Sequence, residues 1–420
     1  MERSVRYRPH PERTTVSDFQ DNDVVIVSSA RTPIGRARKG SLIDVRPEDL
    51  LVTAARGAIE RAGNVTTADF DDFHVGCAEP DGESGDNIAR RVAILLGDDT
   101  LPGTTITRFC ASSIQATRMA FHAIRAGEGN AYLIGGVEQV SRSTPNQATK
   151  HPTFADAPAR VETQLGGDTW VDPRESGLLP DYYIAMGHTA EFVARKTGTS
   201  RADQDAWALQ SQTRAGAAIT SGYFAEEIVS VTLADGTVVE TDDSPRPGTT
   251  AEALAGLAPV FIPNGTVTAG NACPLNDGAS ALVVTSGAFA RERGLTPLAK
   301  IRSTAVSALS PEIMGLGPVA SSKIALERAG ISASDLGAVE LNEAFAAQVV
   351  PSIRELGLDP AIVNPHGGAI ALGHPFGATG ARMLGTLAHE LTLLDRELGL
   401  ATLCVGGGQG MAVVLERVGN

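Results

Sequence analysis

A histidine set in a glycine-rich run is the first feature of the sequence that could do chemistry. His374 lies between Gly373 and Pro375, and the run over residues 364–382 holds five glycines and two prolines. Glycine allows close approach and positive φ, whereas proline fixes φ and stops a continuing helix. Such a rigid loop is suited to aim a base, although a structural turn with an incidental histidine would have the same composition. The interpretation as a base requires that the rest of the chain supply a reacting partner for the imidazole, whereas the structural turn does not.

The cysteines are the candidates for that partner. They are Cys77, Cys110, Cys273 and Cys404. None belongs to a CxxC pair, which argues against a zinc knuckle or a redox dithiol. Four cysteines in 420 residues also do not make a disulfide scaffold. Each is therefore either core filler or a reactive thiol. Cys110 follows a strand predicted over 104–107 and precedes a helix predicted over 112–125, and the positive end of that helix would favour a thiolate.

Two further strand ends carry groups that could take part in the same chemistry. Cys404 ends a predicted strand and is followed by three glycines, while Asn342 follows a strand predicted over 338–341. In open α/β sheets, ligands bind beyond the carboxyl ends of the strands. A cysteine activated by a histidine is a covalent nucleophile, and a second cysteine can serve as general acid or base. The backbone N–H groups of the glycines could bind a developing oxyanion.

The elements that must position these residues alternate between strand and helix at both ends of the chain. Apolar runs at 24–27 and 131–134 alternate with helical stretches, which predicts a mostly parallel sheet with helices on its faces. Residues 278–286 fit either a helix or a strand. From 141 to 268 prolines and polar residues are frequent and long strands are missing, which predicts a subdomain laid over the sheet. Residues 133–138 and 404–409 each read as a strand that ends in glycines, a faint sign of two similar halves.

Composition and charge exclude several classes of protein. The chain has 35 Lys and Arg residues and 49 Asp and Glu residues. The resulting net charge of -14 argues against a general nucleic-acid binder. No segment approaches the ~20 apolar residues of a membrane span. Residues 1–22 mix both charges and lack the apolar centre of a secretory signal, so we expect a flexible tail and a cytoplasmic protein.

Four short stretches, in this order, carry a resemblance to a known family. They are Arg-Phe-Cys-Ala-Ser-Ser at 108–113, Asn-Glu-Ala-Phe at 342–345, Gly-His-Pro at 373–375 and Cys-Val-Gly-Gly-Gly-Gln-Gly at 404–410. These resemble the signature blocks of the thiolase family, which comprises acetyl-CoA acetyltransferases and 3-ketoacyl-CoA thiolases. Similar stretches at 31–35, 135–138, 186–187, 267–271 and 276–279 extend the resemblance over about residues 23–416.

The resemblance implies an α/β thiolase fold, with two similar βαβαβ halves packed as a five-layered α-β-α-β-α sandwich. The N-terminal half would comprise residues 23–140 and 274–297, and the C-terminal half residues 298–420. Residues 141–273 would form the inserted loop subdomain that binds coenzyme A. The same family comparison implies an acyl-CoA acyltransferase in lipid metabolism, as in fatty acid β-oxidation, and a homodimer or homotetramer.

The resemblance also implies how the site residues divide the work. Cys110 would take the acyl group as a thioester after His374 removes its proton, and Asn342 would position a water in a first oxyanion hole. Cys404 would move a proton to and from the α-carbon of the acetyl group. Backbone N–H groups of Cys110 and Gly406 would form a second oxyanion hole. The glycines around His374 would let the thioester and its pantetheine arm pass close to the backbone.

Coenzyme A and acyl-CoA are the implied substrates, and no metal or tightly bound cofactor is expected. Arg246 is the expected contact for the phosphates of coenzyme A. Cys273 stands where the family often has a serine against the pantetheine, so it is expected to form a wall of that site rather than a third catalytic thiol. Cys77 matches no functional position and is expected in the core.

Two other functions fit part of the sequence. A decarboxylating ketoacyl synthase of related architecture pairs its nucleophile with two histidines, or with a histidine and an asparagine, and lacks the second cysteine; Cys404 therefore argues against it. A non-catalytic acyl-CoA or lipid carrier on the same scaffold would have lost a reactive group, and none is lost here. Acyl chain length and the direction of the reaction are left open by the sequence.

Overall fold

The computed structural model describes residues 18–143 and 149–419. The expected tail falls mostly in residues 1–17, and five residues of the expected insertion fall in 144–148; both lie outside the described residues. No helix in the described part of the chain is long and apolar enough to cross a membrane.

The strands of the described residues follow one another with helices between many of them. They are β1 (Val24–Arg31), β2 (Gly35–Arg36), β3 (Asp72–Gly76), β4 (Gly103–Ile106), β5 (Ala131–Gln139), β6 (Val231–Thr232), β7 (Val238–Val239), β8 (Asn276–Ser286), β9 (Ala299–Ala308), β10 (Ala338–Leu341), β11 (Leu398–Val405) and β12 (Gln409–Arg417).

The helices begin after β2 and end before β11. They are α1 (Pro47–Ala62), α2 (Ile88–Leu95), α3 (Ser112–Ala126), α4 (Ala157–Leu165), α5 (Met186–Thr197), α6 (Arg201–Ser221), α7 (Ala251–Ala255), α8 (Gly287–Arg293), α9 (Gly317–Ala329), α10 (Ala346–Leu356), α11 (Ala369–Leu372) and α12 (Phe376–Leu393).

One sheet runs through the molecule in the order β10-β11-β12-β9-β1-β8-β5-β3-β4, with β2 paired to β8. Parallel pairs occur at its two ends, where β3 pairs with β4 and β5, and β10 with β11. The strands between them are antiparallel. The prediction of a mostly parallel sheet is therefore wrong. The glycine turn after β11 is too short for a crossover and can join only antiparallel strands.

The strands bury side chains on both faces, which divides the core into layers. Along β1, Val25 and Val27 join a cluster with α1 and α2, while Val24 and Ile26 join a second cluster with α3 and α12, as the two-residue period of a strand requires. The second cluster also takes in side chains of β11 and β12. A third cluster packs β9 to β12 against α9 and α10. The layers are therefore helices (α1 and α2), strands, helices (α3 and α12), strands and helices (α9 and α10), which confirms the five-layered sandwich.

Several predicted element bounds change in the structure. Gly135 and Gly136 do not end a strand, because β5 continues through them to Gln139. Residues 278–286, left open between helix and strand, lie in β8. The motif that starts at Asn342 does not open a helix; Phe345 is extended with φ -148°, and α10 begins after it. Among the described residues between β5 and β8, the strands are only the two-residue β6 and β7, as the composition predicts.

Candidate active site

The turn that carries Cys110 is a 3-10 turn, Phe109–Ala111, between β4 and α3. Phe109 has a φ of 44°, the left-handed region that a bulky residue rarely adopts. Such backbone strain persists only where surrounding structure holds it, and it is common at functional sites. The turn packs against both α12 and β11. Cys110 is thereby held beside the elements that carry His374 and Cys404.

The Cys110 thiol receives two backbone N–H groups but remains protonated in the free protein. Burial raises its pKa to about 11, although the N–H groups of Gly406 and of Cys110 itself act in the opposite direction. The expected thiolate at the start of α3 is therefore outweighed by desolvation. The same two N–H groups are the pair that the family resemblance assigns to the second oxyanion hole.

Cys404 and Cys273 lie close to Cys110. Burial, followed by the charge of Cys110, raises the pKa of Cys404 well above its usual range, and the same two causes raise the pKa of Cys273. Both side chains belong to one apolar cluster with Phe345 and Met314. The three thiols thus share one low-dielectric site, and each is neutral near pH 7. Cys77 packs in the core behind β3, as expected.

The hydrogen bonds of His374 fix its tautomer. Its Nδ1 lies 2.7 Å from the Thr379 hydroxyl, which itself donates to the carbonyl oxygen of Pro375 at 2.9 Å. Since that hydroxyl proton is already used, Nδ1 must carry a hydrogen and donate it to Thr379. Nε2 is then the basic nitrogen, and it accepts from the Asn342 amide at 3.2 Å. Burial lowers the pKa of His374 to about 3, so the ring is neutral.

Backbone contacts set the direction of that ring. The His374 N–H donates to the side-chain oxygen of Asn276 at 2.9 Å. Gly373 has a φ of 113°, and a Cβ there would lie 2.7 Å from Asn276 and from Ile34. A glycine is therefore required both for conformation and for space. The ring also meets Phe376 edge to face at a centroid distance of 5.0 Å.

Asn342 contributes an unsatisfied acceptor to the site. Its backbone N–H donates to Thr402 on β11, and its carbonyl oxygen accepts from Gln348 on α10. Its amide nitrogen faces His374, but its amide oxygen is buried and has no hydrogen-bond partner among the described residues. A buried acceptor of this kind is satisfied by a water or by a substrate group. This fits the expected role of Asn342 in holding a water.

A cleft of about 350 Å³ opens beside these residues and carries two cations. Arg246 lines it, as expected for a phosphate contact, together with Arg36. Ala272 and Pro274, which flank Cys273, also line it. Cys273 is therefore a chain neighbour of two residues that line the cleft, and it also lies near the Cys110 thiol. Within the described ranges, no three His, Cys, Asp or Glu side chains are grouped so as to hold a metal ion.

Two family models match consecutive parts of the chain. The thiolase N-terminal domain matches residues 24–288, and the thiolase C-terminal domain matches residues 295–417. The chain belongs to the thiolase family. This confirms the resemblance, the thiolase fold, and the interpretation of the chain as a thiolase-type acyltransferase acting on CoA thioesters.

Curated relatives match almost the whole length of this thiolase. A β-ketoadipyl-CoA thiolase of Pseudomonas knackmussii is 44% identical over 94% of this chain and 99% of its own length. A 3-ketoacyl-CoA thiolase of Bacillus subtilis is 41% identical over the same shares of both chains.

Solved thiolase structures share the fold. The acetyl-CoA acetyltransferase of Bacillus anthracis aligns with a TM-score of 0.83 at 38% identity, covering 94% of this chain and 99% of that one. Human mitochondrial 3-ketoacyl-CoA thiolase in complex with CoA aligns with a TM-score of 0.82 at 34% identity, covering 96% and 100%.

Several residues that shape this thiolase site carry no signal in one sequence. Arg36 reaches the cleft only because β2 pairs with the start of β8. Glu138 accepts backbone N–H groups from Ala78, Glu79 and Gly377, and so ties the end of β5 to the start of α12. Its position within the Gly-Gly-Val-Glu stretch was the one available hint. Burial raises the pKa of Glu138 to about 7.

The glycines around His374 let the run pack closely against neighbouring parts of the protein. A Cβ at Gly368 would meet the Glu343 carboxyl carbon at 2.3 Å, and one at Gly377 would meet the Val137 carbonyl oxygen at 2.3 Å. A Cβ at Gly380 would meet Ile114 at 2.6 Å. At these three positions the absence of a side chain is therefore required by the protein's own packing. The passage of a pantetheine arm beside the run stays a prediction.

Proposed function

We propose that this thiolase cleaves 3-ketoacyl-CoA by a ping-pong reaction that proceeds through an acyl thioester on Cys110. The sulfur bonds to the 3-keto carbon, and the bond between the 2- and 3-carbons breaks. Acetyl-CoA leaves as an enolate and takes up a proton at its 2-carbon. Coenzyme A thiol then attacks the acyl-enzyme and releases a shortened acyl-CoA. The reverse sequence condenses two acyl-CoA molecules.

The observation that carries the proposal is that the turn of Cys110 packs against both β11, which holds Cys404, and α12, which begins two residues after His374. The unprotonated Nε2 of His374 is the base for the Cys110 thiol. In the free protein Asn342 donates to that nitrogen, so this bond must open before the proton is accepted. Asn342 then holds a water with its amide groups, and this water and the histidine bind the thioester oxygen.

Cys404 is the acid that protonates the departing enolate. Its thiol is neutral, and an acid must hold its proton until charge develops on the substrate. The N–H groups of Cys110 and Gly406 bind the enolate oxygen. Such fixed donors stabilise developing charge strongly in a site that excludes water. A decarboxylating synthase would have no use for a second thiol at this position, which makes that alternative weaker.

The cleft beside Cys273 is the proposed coenzyme A site. Arg36 and Arg246 place two positive charges on its wall, which suits the phosphates of the nucleotide end. The insertion over residues 141–273 supplies most of this wall, which supports its assignment as the coenzyme-A-binding subdomain. Names of the relatives at 41–44% identity favour longer 3-ketoacyl groups, including dicarboxylic ones, over acetoacetyl alone.

The nucleophile provides the direct test. Cys110→Ala should abolish coenzyme-A-dependent cleavage of a 3-ketoacyl-CoA, measured by the loss of its enolate absorbance. Cys77→Ala removes a buried thiol outside the site and should retain activity. Full activity in the Cys110 variant would contradict the proposal. A requirement for a malonyl thioester in the wild type would favour the synthase, and binding of acyl-CoA without turnover would favour the carrier.

We also place the reaction in a reducing compartment, the cytoplasm. All four cysteines are free thiols in the structure, and the proposed chemistry needs two of them reduced. Fatty acid β-oxidation is the process that produces such substrates.

A homo-oligomer is the proposed assembly. β4 forms an edge of the sheet with half-exposed residues, and the neighbouring α2 exposes Ile94 and Leu95. An exposed edge with apolar side chains beside it is a typical pairing surface. Light scattering on the purified protein should give at least twice the chain mass of 43.6 kDa. Leu95→Glu should reduce that mass, whereas Leu393→Glu, at the exposed C-terminal end of α12, should not.

A further inference from the structure

The carboxylate of Glu343 binds four hydrogen-bond donors in the interior. Its Oε1 accepts from Trp207 at 3.0 Å and from the Asn364 amide at 2.8 Å. Its Oε2 accepts from the Ser211 hydroxyl at 2.6 Å and from the Ile370 N–H at 3.1 Å. The side chain is fully buried. The proposed reaction gives this carboxylate no step, although it lies one residue after Asn342.

Three of the four partners require an acceptor at Glu343, because the indole, the amide nitrogen and the backbone N–H can only donate. The Ser211 hydroxyl donates to the carboxylate while it accepts from the Gly368 N–H at 3.2 Å. A carboxylate satisfies all four. A glutamine of the same shape would, in either orientation, turn its NH₂ group toward at least one N–H donor, so Glu→Gln is not conservative here. Gly368 allows the approach, since any side chain at that position would collide with the carboxyl group.

On one side, Glu343 holds the catalytic pair. It follows Asn342 directly in the chain, and Asn364 links it to β10 by pairing with both the N–H and the carbonyl oxygen of Leu341. Its bond to Ile370 fixes α11, the single turn that ends at Gly373. His374 is the next residue. The carboxylate therefore links two backbone segments, the one that carries Asn342 and the one that leads into His374. The side chains of these two residues are hydrogen-bonded to each other.

On the other side, Glu343 holds the wall of the coenzyme A cleft. Trp207 and Ser211 lie on α6, whose next residue, Gln212, lines the cleft. Gln212 accepts from the Arg246 N–H at 2.7 Å and donates to the Ile370 carbonyl oxygen at 3.4 Å. Ile370 also lines the cleft. The peptide group at Ile370 is thus held by Glu343 through its N–H and by Gln212 through its carbonyl oxygen.

We propose that Glu343 is a positioning residue that fixes the coenzyme A cleft and the Asn342–His374 pair in one common geometry. This inference rests on the proposed thiolase function. The carboxylate touches neither the reacting atoms nor the substrate. It joins α6 of the insertion to α11 and to the end of β10. Any displacement of the cleft wall therefore also displaces His374.

Steady-state kinetics on Glu343→Gln test the proposal. At least one N–H donor is left facing an NH₂ group, which should lower kcat ~10- to 100-fold and raise the KM for coenzyme A several-fold. Gln212→Ala removes the 3.4 Å bond to the Ile370 carbonyl oxygen and the acceptor for the Arg246 N–H, but leaves the carboxylate in place, so it should raise that KM and lower kcat by less than Glu343→Gln does. The combination of both effects in one variant is the signature of a residue that positions both parts.

Glu312→Gln is the matched control. Glu312 is also a buried glutamate in the same protein; it accepts from the Trp170 indole at 2.8 Å and from the Asp181 N–H at 2.9 Å, and it pairs with Arg160 at 2.8 Å. None of these residues lines the cleft. Its variant should lose at least as much thermal stability and keep the kinetic constants of the wild type. If Glu343→Gln behaves in the same way, the carboxylate serves stability alone and the proposal is wrong.

Milder variants keep the test decisive if Glu343→Gln does not fold. Ser211→Ala and Trp207→Phe each remove one donor and leave the carboxylate in place, and both should lower kcat and raise the KM for coenzyme A in the same direction. Unchanged constants in both would overturn the proposal. Activity of the wild type on 3-ketoacyl-CoA is measured alongside, so that failure of the thiolase assignment is separated from failure of this inference.

Discussion

Cys110 and His374 are both uncharged in the free protein because burial disfavours the charged form of each. The backbone N–H groups near Cys110 oppose this effect only in part, and the charge of Arg382 adds to it at His374. The pKa of the thiol rises to about 11, while that of the imidazole falls to about 3. In the proposed reaction, the proton moves when a bound substrate provides a carbonyl for the sulfur to attack. The fixed tautomer of His374 ensures that the proton-accepting nitrogen is Nε2.

Thr379 is predicted to control that tautomer. Thr379→Val removes the acceptor for Nδ1–H and leaves a buried donor without a partner, which costs about 1–3 kcal/mol. If this cost appears in the transition state, kcat falls roughly 5- to 150-fold. Thr386→Val is the control, because its hydroxyl also lies on α12 but binds Glu227 at 2.8 Å. Equal kcat values for the two variants would contradict the role of Thr379.

At the scale of elements, short segments between the long strands and helices place most of the groups of the site. The turn Phe109–Ala111 holds Cys110, the one-turn helix α11 leads into His374, and the glycine turn between β11 and β12 carries the Gly406 N–H, while Cys404 lies on β11 itself. Gly407 in the last of these turns has a φ of 75°, and a Cβ there would lie 3.0 Å from the Tyr182 ring. The geometry of the turn therefore depends on a residue without a side chain.

Gly407→Ala should lower kcat, because strain at positive φ and contact with Tyr182 both displace the turn that carries the Gly406 N–H. The strain alone costs about 1–2 kcal/mol. Gly330→Ala is a matched control, since Gly330 has a φ of 70° with nothing within 4 Å of its Cβ position. It should lose comparable stability in a thermal melt and keep wild-type kcat. Equal kcat in both variants would show that the turn tolerates the change.

At the scale of the whole molecule, one buried arginine fastens the insertion to the sheet. Arg31, at the end of β1, binds Glu227 at 2.9 Å and Asp242 at 2.7 Å. Both carboxylates come from the segment that carries β6 and β7. Burial raises the pKa of Glu227, but the charge of Arg31 lowers it by more, so that the pKa lies below its ordinary value. Stability from this pair is present above the unfolded pKa of about 4.5 and is lost as pH falls through the lowered folded pKa.

Arg31→Met should destabilise the protein by about 3–5 kcal/mol at pH 7, because two buried carboxylates lose their counter-ion. The difference from wild type should shrink as the pH falls below about 4.5, where Glu227 becomes protonated. Urea unfolding at several pH values measures both effects. Arg174→Met removes an exposed ion pair with Asp172 and should leave the unfolding curve unchanged. A difference that is independent of pH would contradict this account.

The types and order of the reacting residues could be read from the sequence, because the glycines and proline around His374 and the strand-end positions of Cys110 and Cys404 are local properties. Strand and helix alternation also predicted most elements. The alternation did not predict strand direction, because the antiparallel pairing of β8 depends on where the chain returns from the insertion. Only the folded chain brings Arg36, Thr379 and the partners of Glu343 to the site. Packing decides pKa values too, since desolvation of Cys110 outweighs the helix end that its sequence position suggested.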